Sequence, residues 1–149
     1  MKLSTRSTYG LRALVELGLA FGRGPLSAAL IATRQELSVA YLEQLLHRLK
    51  KQGLVTSIRG PRGGYLLARD PQQITVADIV RVLDGLTMEQ NGKVVAEGQP
   101  LARHIAQAVF HCVHDRLMQS LDQVSLRDLC DEVRELAGES LEHRYVFHI

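Results

Sequence analysis

Two arginines flank a glycine-rich turn in residues 59–67, RGPRGGYLL. Glycine and proline predict a tight turn there, and the apolar residues that follow predict a strand. The guanidinium group of arginine has a permanent positive charge and a planar set of N–H donors that matches phosphate oxygens. A turn by itself requires neither property. The pattern predicts a charged loop that contacts a polyanion through Arg59, Gly60, Pro61, Arg62, Gly63 and Gly64. The alternative is a surface hairpin with incidental arginines.

A second set of polar and basic residues lies on residues 38–51. Tyr41, Gln44, Arg48 and Lys51 are spaced i, i+3, i+7 and i+10, which places them on one helix face. In helix-turn-helix proteins the first turns of the second helix meet base edges, where glutamine pairs with adenine and glutamate accepts from cytosine. The candidate DNA contacts on this segment are Ser38, Ala40, Tyr41, Glu43, Gln44, Arg48 and Lys51.

The spacing of apolar residues predicts the helices and strands that carry both sets of residues. Helical spacing of apolar residues predicts helices over 3–21, 27–35 and 39–52, followed by β-prone runs at 54–58 and 65–68. This order predicts a mainly α-helical fold with a small β-hairpin wing, a winged helix-turn-helix over residues 1–84. The residues expected to face the core include Phe21 on the first helix, Leu30 and Ile31 on the second, and Val39, Leu42, Leu45, Leu46 and Leu49 on the third.

Charge is distributed unevenly along the chain. Residues 1–70 carry 11 Lys/Arg against 4 Asp/Glu, a net +7, and residues 71–149 carry 7 against 12, a net −5, giving the total of +2. A basic half of this kind is typical of a polyanion-binding module, although scattered surface charge is the alternative. The two cysteines make no disulfide framework, and no stretch resembles a signal peptide or a membrane span. We therefore expect a cytoplasmic protein.

The second half predicts an assembly element. A capping-box pattern at Thr75 and Asp78 begins a helix to about residue 83, and 85–99 is a polar, sensor-like loop. Residues 100–121 form a long helix with an apolar face broader than one small domain needs, which predicts a homodimer, with an intrachain core as the alternative. A last helix from Ser125 to about Ala137 completes a dimerisation region over 100–137, and 138–149 is a C-terminal tail.

Several segments together resemble one family. "STRSTYGLRALVELG", "LSVAYLEQLLHRLKKQGLVTSIRGPRGGYLLARDP", "ITVADIVRVLDG" and "VSLRDL" are similar to the bacterial Rrf2 family of winged-helix transcription regulators. The likeness covers 1–86 closely and returns at about 105–136. It implies a homodimer that binds an operator in double-stranded DNA, and a long helix that crosses to the partner subunit.

The resemblance also implies a metal site, from which this sequence departs. Iron–sulfur members carry three cysteines between the loop and the long helix, whereas residues 88–107 contain none, with His104 and Gln107 at two of the ligand positions. Thiolates hold such clusters, so we expect no standard iron–sulfur cluster. Cys112 is expected to be a buried, inert thiol. His104, His111 and His114 are either a solvated helix edge or an atypical cysteine/histidine metal site.

The sequence thus predicts a dimeric, sequence-specific DNA-binding regulator, a repressor, whose effector is unknown. Two alternatives remain: a winged helix that only docks proteins, and a redox- or metal-sensing regulator with an atypical site. No catalytic motif stands at usable spacing, because "RGPRGG" lacks the Gly-Lys-Ser/Thr of a phosphate-binding loop, so we expect no enzyme.

Overall fold

The computed structural model describes residues 3–85 and 100–146, and side chains through residue 138. The segment 86–99, which includes nearly all of the predicted sensor-like loop, lies outside the described residues. The elements, in chain order, are α1 Thr5–Leu19, α2 Ala28–Gln35, α3 Val39–Lys51, β1 Val55–Ile58, β2 Gly64–Leu67, a 3-10 turn Pro71–Gln73, α4 Val76–Asp84, α5 Leu101–Asp122 and α6 Leu126–Val146. The predicted fold class is confirmed: the chain is mostly helical, with β1 and β2 paired as an antiparallel hairpin.

Serine caps set where the first three helices begin. Ser4, Ser27 and Ser38 each accept a hydrogen bond from the backbone N–H three residues later, at 3.1, 3.1 and 3.2 Å. The side-chain oxygen satisfies a donor that has no partner inside the helix, a contribution of about 1 kcal/mol per cap. Each helix therefore begins at the residue that follows its capping serine.

One apolar core holds α1, α2 and α3 together. Leu42, Leu45, Leu46 and Leu49 on α3 are all buried against α1 residues such as Leu14. Each fully buried leucine contributes roughly 1.5–3 kcal/mol relative to an exposed one. Since these residues recur at helical spacing on one side of α3, its other side is held outward, towards solvent.

Three residues expected in the core are exposed instead: Phe21, Leu30 and Val39, at 44%, 40% and 42%. Phe21 lies beyond the end of α1. Leu30 is on the outer side of α2, because the buried positions of this short helix are Ala28, Ile31 and Ala32. Val39 is the first residue of α3, before the helix meets the core. The sequence assignment of these three was wrong.

The C-terminal helices are attached to this core at two points. Backbone bonds from Val76 N to Val124 O (2.9 Å) and from Leu126 N to Ile74 O (2.8 Å) join the start of α4 to the turn between α5 and α6. Arg81 on α4 donates two bonds to the carboxylate of Asp122 at the end of α5, at 3.1 and 2.9 Å. The end of α5 and the start of α6 therefore have a fixed position relative to α3 and the hairpin.

The first half of α5 has a different environment. The C-terminal part of the whole helix packs on α4 through Met118, which is buried. Towards its N-terminus large apolar side chains face solvent, among them Leu101 and Phe110, which are 75% and 73% exposed. None of the other described residues covers this apolar surface.

The last helix is longer than predicted. The sequence indicated an end near Ala137, but α6 continues to Val146. Gly138 does not end it, because a single glycine inside a helix costs only about 1 kcal/mol and no proline follows. Within the described part of the chain, no helix combines the length and apolar character that crossing a membrane requires.

Candidate nucleic-acid interface

The outward face of α3 carries most of the residues predicted to read DNA. Ala40, Glu43, Gln44, Arg48 and Lys51 are all exposed. They alternate with the buried leucines, so the core holds their backbone positions while their side chains remain in water. Ser38 is also exposed, but its hydroxyl already accepts the capping bond from Tyr41 N.

Tyr41 departs from the predicted outer face. It is half-buried, and its ring meets Tyr9 of α1 edge to face, with centroids 6.1 Å apart and the ring planes perpendicular. Aromatic pairs favour this geometry, which adds about 0.5–1.5 kcal/mol beyond area burial. Tyr41 lies at the boundary between the two faces of α3, and its ring helps to attach α3 to α1.

The hairpin tip is a tight turn that presents both arginines. Gly63 N donates to Gly60 O at 2.9 Å, and Pro61 occupies the second position of this four-residue turn. Arg59, Gly60, Pro61 and Arg62 are exposed. Gly60 has φ +117°, a backbone conformation that residues with a Cβ adopt at a cost.

Gly63 and Gly64 are partly buried, and the structure gives each a reason independent of DNA. A Cβ on Gly63 would stand 2.1 Å from the carbonyl oxygen of Ile58 across the hairpin. A Cβ on Gly64 would stand 2.2 Å from the carbonyl oxygen of Leu26. These two glycines let backbone segments approach each other, whereas the sequence pattern predicted that they let the turn approach DNA.

Close approach at Gly64 lets the hairpin bond to the segment before α2. Leu26 N donates to Tyr65 O at 3.1 Å, and Tyr65 N donates to Leu26 O at 2.8 Å. Leu26 therefore acts as a third, one-residue strand. Because Ser27 then caps α2, the hairpin has a fixed position relative to the helix-turn-helix.

Lys50 and His47 on α3 were missed in the sequence analysis. Lys50 Nζ donates to Ser57 Oγ on β1 at 2.6 Å, which links α3 to the hairpin. His47 is exposed, three residues after Gln44, and therefore lies on the same face. The i+3 spacing was a signal that pointed to His47. The contact between Lys50 and Ser57 depends on how the hairpin packs against α3, so no local sequence pattern predicts it.

The surface formed by α3 and the hairpin tip carries a net positive charge. Residues 38–64 carry five Lys/Arg and one Glu, a net +4. Among the described residues, none of Arg48, Lys51, Arg59 and Arg62 forms an ion pair with a carboxylate. Unpaired cations on one rigid surface attract a polyanion and release its counterions.

The two cysteines lie in different surroundings. Cys112 on α5 is exposed, so its predicted burial was wrong, because none of the other described residues covers the part of α5 that carries it. Cys130 on α6 is buried, and desolvation raises the pKa of its thiol. A raised pKa leaves little thiolate at neutral pH, which makes Cys130 a structural side chain.

The donor groups present do not fit an iron–sulfur cluster. The chain has only two cysteines, and the Sγ of Cys130 packs in the core against Gly18. His111 Nε2 lies 3.5 Å from Asp115 Oδ2, but the described residues contain no group of three or more His, Cys, Asp or Glu side chains that could hold a metal ion. A single exposed thiol cannot replace the set of thiolates that such clusters require.

Comparison with known proteins agrees with this geometry. The HTH-type transcriptional regulator CymR of Bacillus subtilis is 38% identical over 149 residues, the whole length of both chains. The HTH-type transcriptional regulator IscR of Photorhabdus laumondii is 36% identical over 93% of this chain and 85% of its own.

Two solved structures share the fold. That of CymR, the global cysteine regulator of B. subtilis, has a TM-score of 0.72 at 39% identity and covers 89% of this chain and 98% of its own. T. potens IscR has a TM-score of 0.73 at 39% identity, with 91% and 90% covered. Residues 3–132 match the Rrf2 family, described as iron-dependent transcriptional regulators, and the chain belongs to this family.

Proposed function

We propose that this chain is a homodimeric transcription regulator that binds operator DNA through α3 and the 59–64 turn. The observation that carries the proposal is a set of exposed cations, on two elements with a fixed relative position, that form no ion pair with any of the described carboxylates. In this arrangement α3 enters the major groove and the hairpin lies beside it as a wing. The relatives CymR and IscR are themselves named as transcriptional regulators of the HTH type.

Different residues have different roles in the complex. Ser38, Ala40, Glu43 and Gln44 lie in the first turns of α3, where base edges are read, with Tyr41 half-buried beneath them. Arg48, Lys51 and Arg62 bind phosphates, and Arg59 reaches the minor groove. Gly60, Pro61, Gly63 and Gly64 shape the turn that presents the two arginines.

The rest of the chain supports assembly. Residues 1–84 form the DNA-binding unit, 100–137 contain the dimerisation helix, and 85–99 connect them. The exposed apolar side chains of α5 support a homodimer, because burying them removes apolar surface from water at about 25 cal/mol per Å². A dimer places two recognition helices on two half-sites of one operator. The protein acts in the bacterial cytoplasm, where the DNA lies.

The proposal is tested with DNA selected from a random pool by the wild-type protein. Arg59→Ala is expected to weaken binding to the selected site by about 1–3 kcal/mol without loss of folding. Arg62→Ala is expected to reduce the salt dependence of binding by about one unit of slope. Arg134→Ala is the matched control, since this exposed arginine pairs with Asp131 on α6. Wild-type affinity in both wing variants would contradict the proposal.

A further inference from the structure

His47 on α3 is an exposed side chain without a polar partner among the described residues. Within that part of the chain it takes part in no hydrogen bond and no ion pair, whereas His111 lies beside Asp115. The core does not use it either, since the buried residues of α3 are its four leucines. The place of His47 on the helix therefore indicates what it contacts.

His47 lies close to the line on α3 that points straight away from the core. At about 100° per residue, only four positions of α3 lie within about 30° of the direction opposite the buried leucines. These four are Ala40, Gln44, His47 and Lys51, and all of them are exposed. Glu43 and Arg48 lie about 70° to either side of the line. A helix in the major groove turns this line towards the base edges, so His47 faces them as directly as Gln44 does.

Two contacts on opposite flanks of α3 fix this orientation. Tyr41, about 90° to one side of the outward line, meets Tyr9 of α1 edge to face, with ring centroids 6.1 Å apart. Lys50, about 90° to the other side, donates to Ser57 on β1 at 2.6 Å. Because a roll of α3 in either direction would disturb one of these contacts, His47 is held towards the groove.

The rise of the helix places His47 at a different base pair from Gln44. From one residue to the other α3 advances about 4.5 Å along its axis, and successive base pairs are about 3.4 Å apart. The two side chains therefore reach base pairs that are about one or two steps apart. Ala40 on the same line has only a methyl group, which lets the start of α3 lie close to the bases.

The chemistry of histidine suits guanine. The major-groove edge of guanine presents two acceptors, N7 and O6, whereas that of adenine presents one acceptor and one donor. Protonated imidazole has two N–H donors and no acceptor, so it matches guanine and sets a donor against the adenine amino group. Bound DNA favours the protonated form, because phosphates surround the groove with negative charge.

The charged groups nearest His47 on α3 are of both signs. Glu43 and Lys51 lie one turn before it and one turn after it, at i−4 and i+4. The helices α1, α2 and α4 pack against the leucine side of α3, away from His47. The hairpin, which packs beside α3, carries Arg59 and Arg62 at its tip. With cations in excess on this surface, bound DNA becomes the main source of negative charge at the imidazole.

We propose that His47 reads a guanine of the operator as the protonated imidazole, about one or two base pairs from the base that Gln44 reads. This inference rests on the proposed function. It adds a specificity-determining residue to the recognition helix and makes operator affinity depend on pH. A contact to a phosphate would place the same side chain at the DNA without selecting any base.

The first experiment is selection from a random DNA pool at about pH 6, where histidine is readily protonated, by the full-length chain and its variants. His47→Ala is expected to lose about tenfold of guanine preference at one position and to keep the rest of the motif. His47→Gln is expected to move the preference at that position to adenine, because an amide pairs with both groups of the adenine edge. Gln52→Ala is the matched control, since Gln52 is exposed just past the end of α3, and it should select the wild-type motif.

The second experiment measures affinity for the selected site between about pH 6 and pH 8, the range in which histidine changes charge. Since binding takes up a proton at His47, wild-type affinity is expected to rise by about tenfold as the pH falls. His47→Arg has a permanent charge and donors that match guanine, so it should keep the guanine preference with less than about a threefold rise. His104, His111 and His114 on α5 are present in both proteins, so the difference reports on His47.

The outcomes separate this inference from the proposed function. If His47→Ala selects the wild-type motif while Gln44→Ala relaxes it, the chain still reads its operator and the inference is overturned. A reduced salt dependence in that His47→Ala variant would then identify a phosphate contact. Equal pH dependence in the wild type and His47→Arg would overturn the protonated form. If the wild-type chain enriches no motif at all, sequence-specific binding itself is wrong.

Discussion

Replacing Gly64 by alanine tests how the wing is held on the helix-turn-helix. The added Cβ would stand 2.2 Å from Leu26 O, 2.5 Å from Leu26 C and 2.8 Å from Ser27 N. All three are backbone atoms, so no side-chain rotation relieves the overlap. The start of β2 must therefore move away from Leu26, which breaks the two backbone hydrogen bonds between Leu26 and Tyr65.

The expected cost follows from these contacts. Two backbone hydrogen bonds contribute about 1 kcal/mol each, and a strained backbone at residue 64, where φ is +156°, adds about 1–2 kcal/mol. The total is about 3–4 kcal/mol. For a chain of 149 residues this lowers Tm by roughly 10 °C. Because the hairpin also loses its fixed position, operator affinity should fall even where the protein remains folded.

The assay is thermal and urea unfolding at a fixed protein concentration, paired with an operator titration at low temperature. Gly60→Ala is the matched control: it lies in the same hairpin with φ +117°, but a Cβ there meets nothing within 4 Å. It is expected to cost about 1–2 kcal/mol, from backbone strain alone. If Gly64→Ala destabilises the protein no more than Gly60→Ala does, the contact with Leu26 does not fix the wing.

Two further predictions concern α3 and α4. Gln44→Ala should relax sequence preference more than it lowers non-specific affinity, and an unchanged motif after selection from random DNA would show that Gln44 reads no base. The Arg81 hydrogen bond lowers the pKa of Asp122, so the stability that this carboxylate adds is present above about pH 4 and is lost as the pH falls through the lower folded-state pKa. Asp122→Asn should therefore cost less than about 1 kcal/mol at pH 7, given the exposure of the pair, and its unfolding free energy should converge with that of the wild type in acid. A constant difference at all pH values would contradict this.

Local chemistry determined much of this protein from the sequence alone. Ser27, Ser38 and Thr75 begin helices because each side-chain oxygen reaches a backbone donor three residues on, a relation contained within four residues. The leucines of α3 face the core because their spacing matches the helical repeat. The hairpin was predictable for the same reason, since Gly60 and Pro61 specify a turn between two β-prone runs.

Only tertiary structure decided the contacts between elements. The roles of Gly63 and Gly64 depend on their contacts with Ile58 and Leu26, and the sequence RGPRGG does not predict these contacts. Periodicity places Tyr41 on the polar face of α3, but the approach of Tyr9 from α1 makes it half-buried. Cys112 and Cys130 both lie on apolar helix faces, yet one is exposed and the other buried. An apolar helix face is buried only where another element covers it, and within the described chain α1 covers Cys130 while nothing covers Cys112.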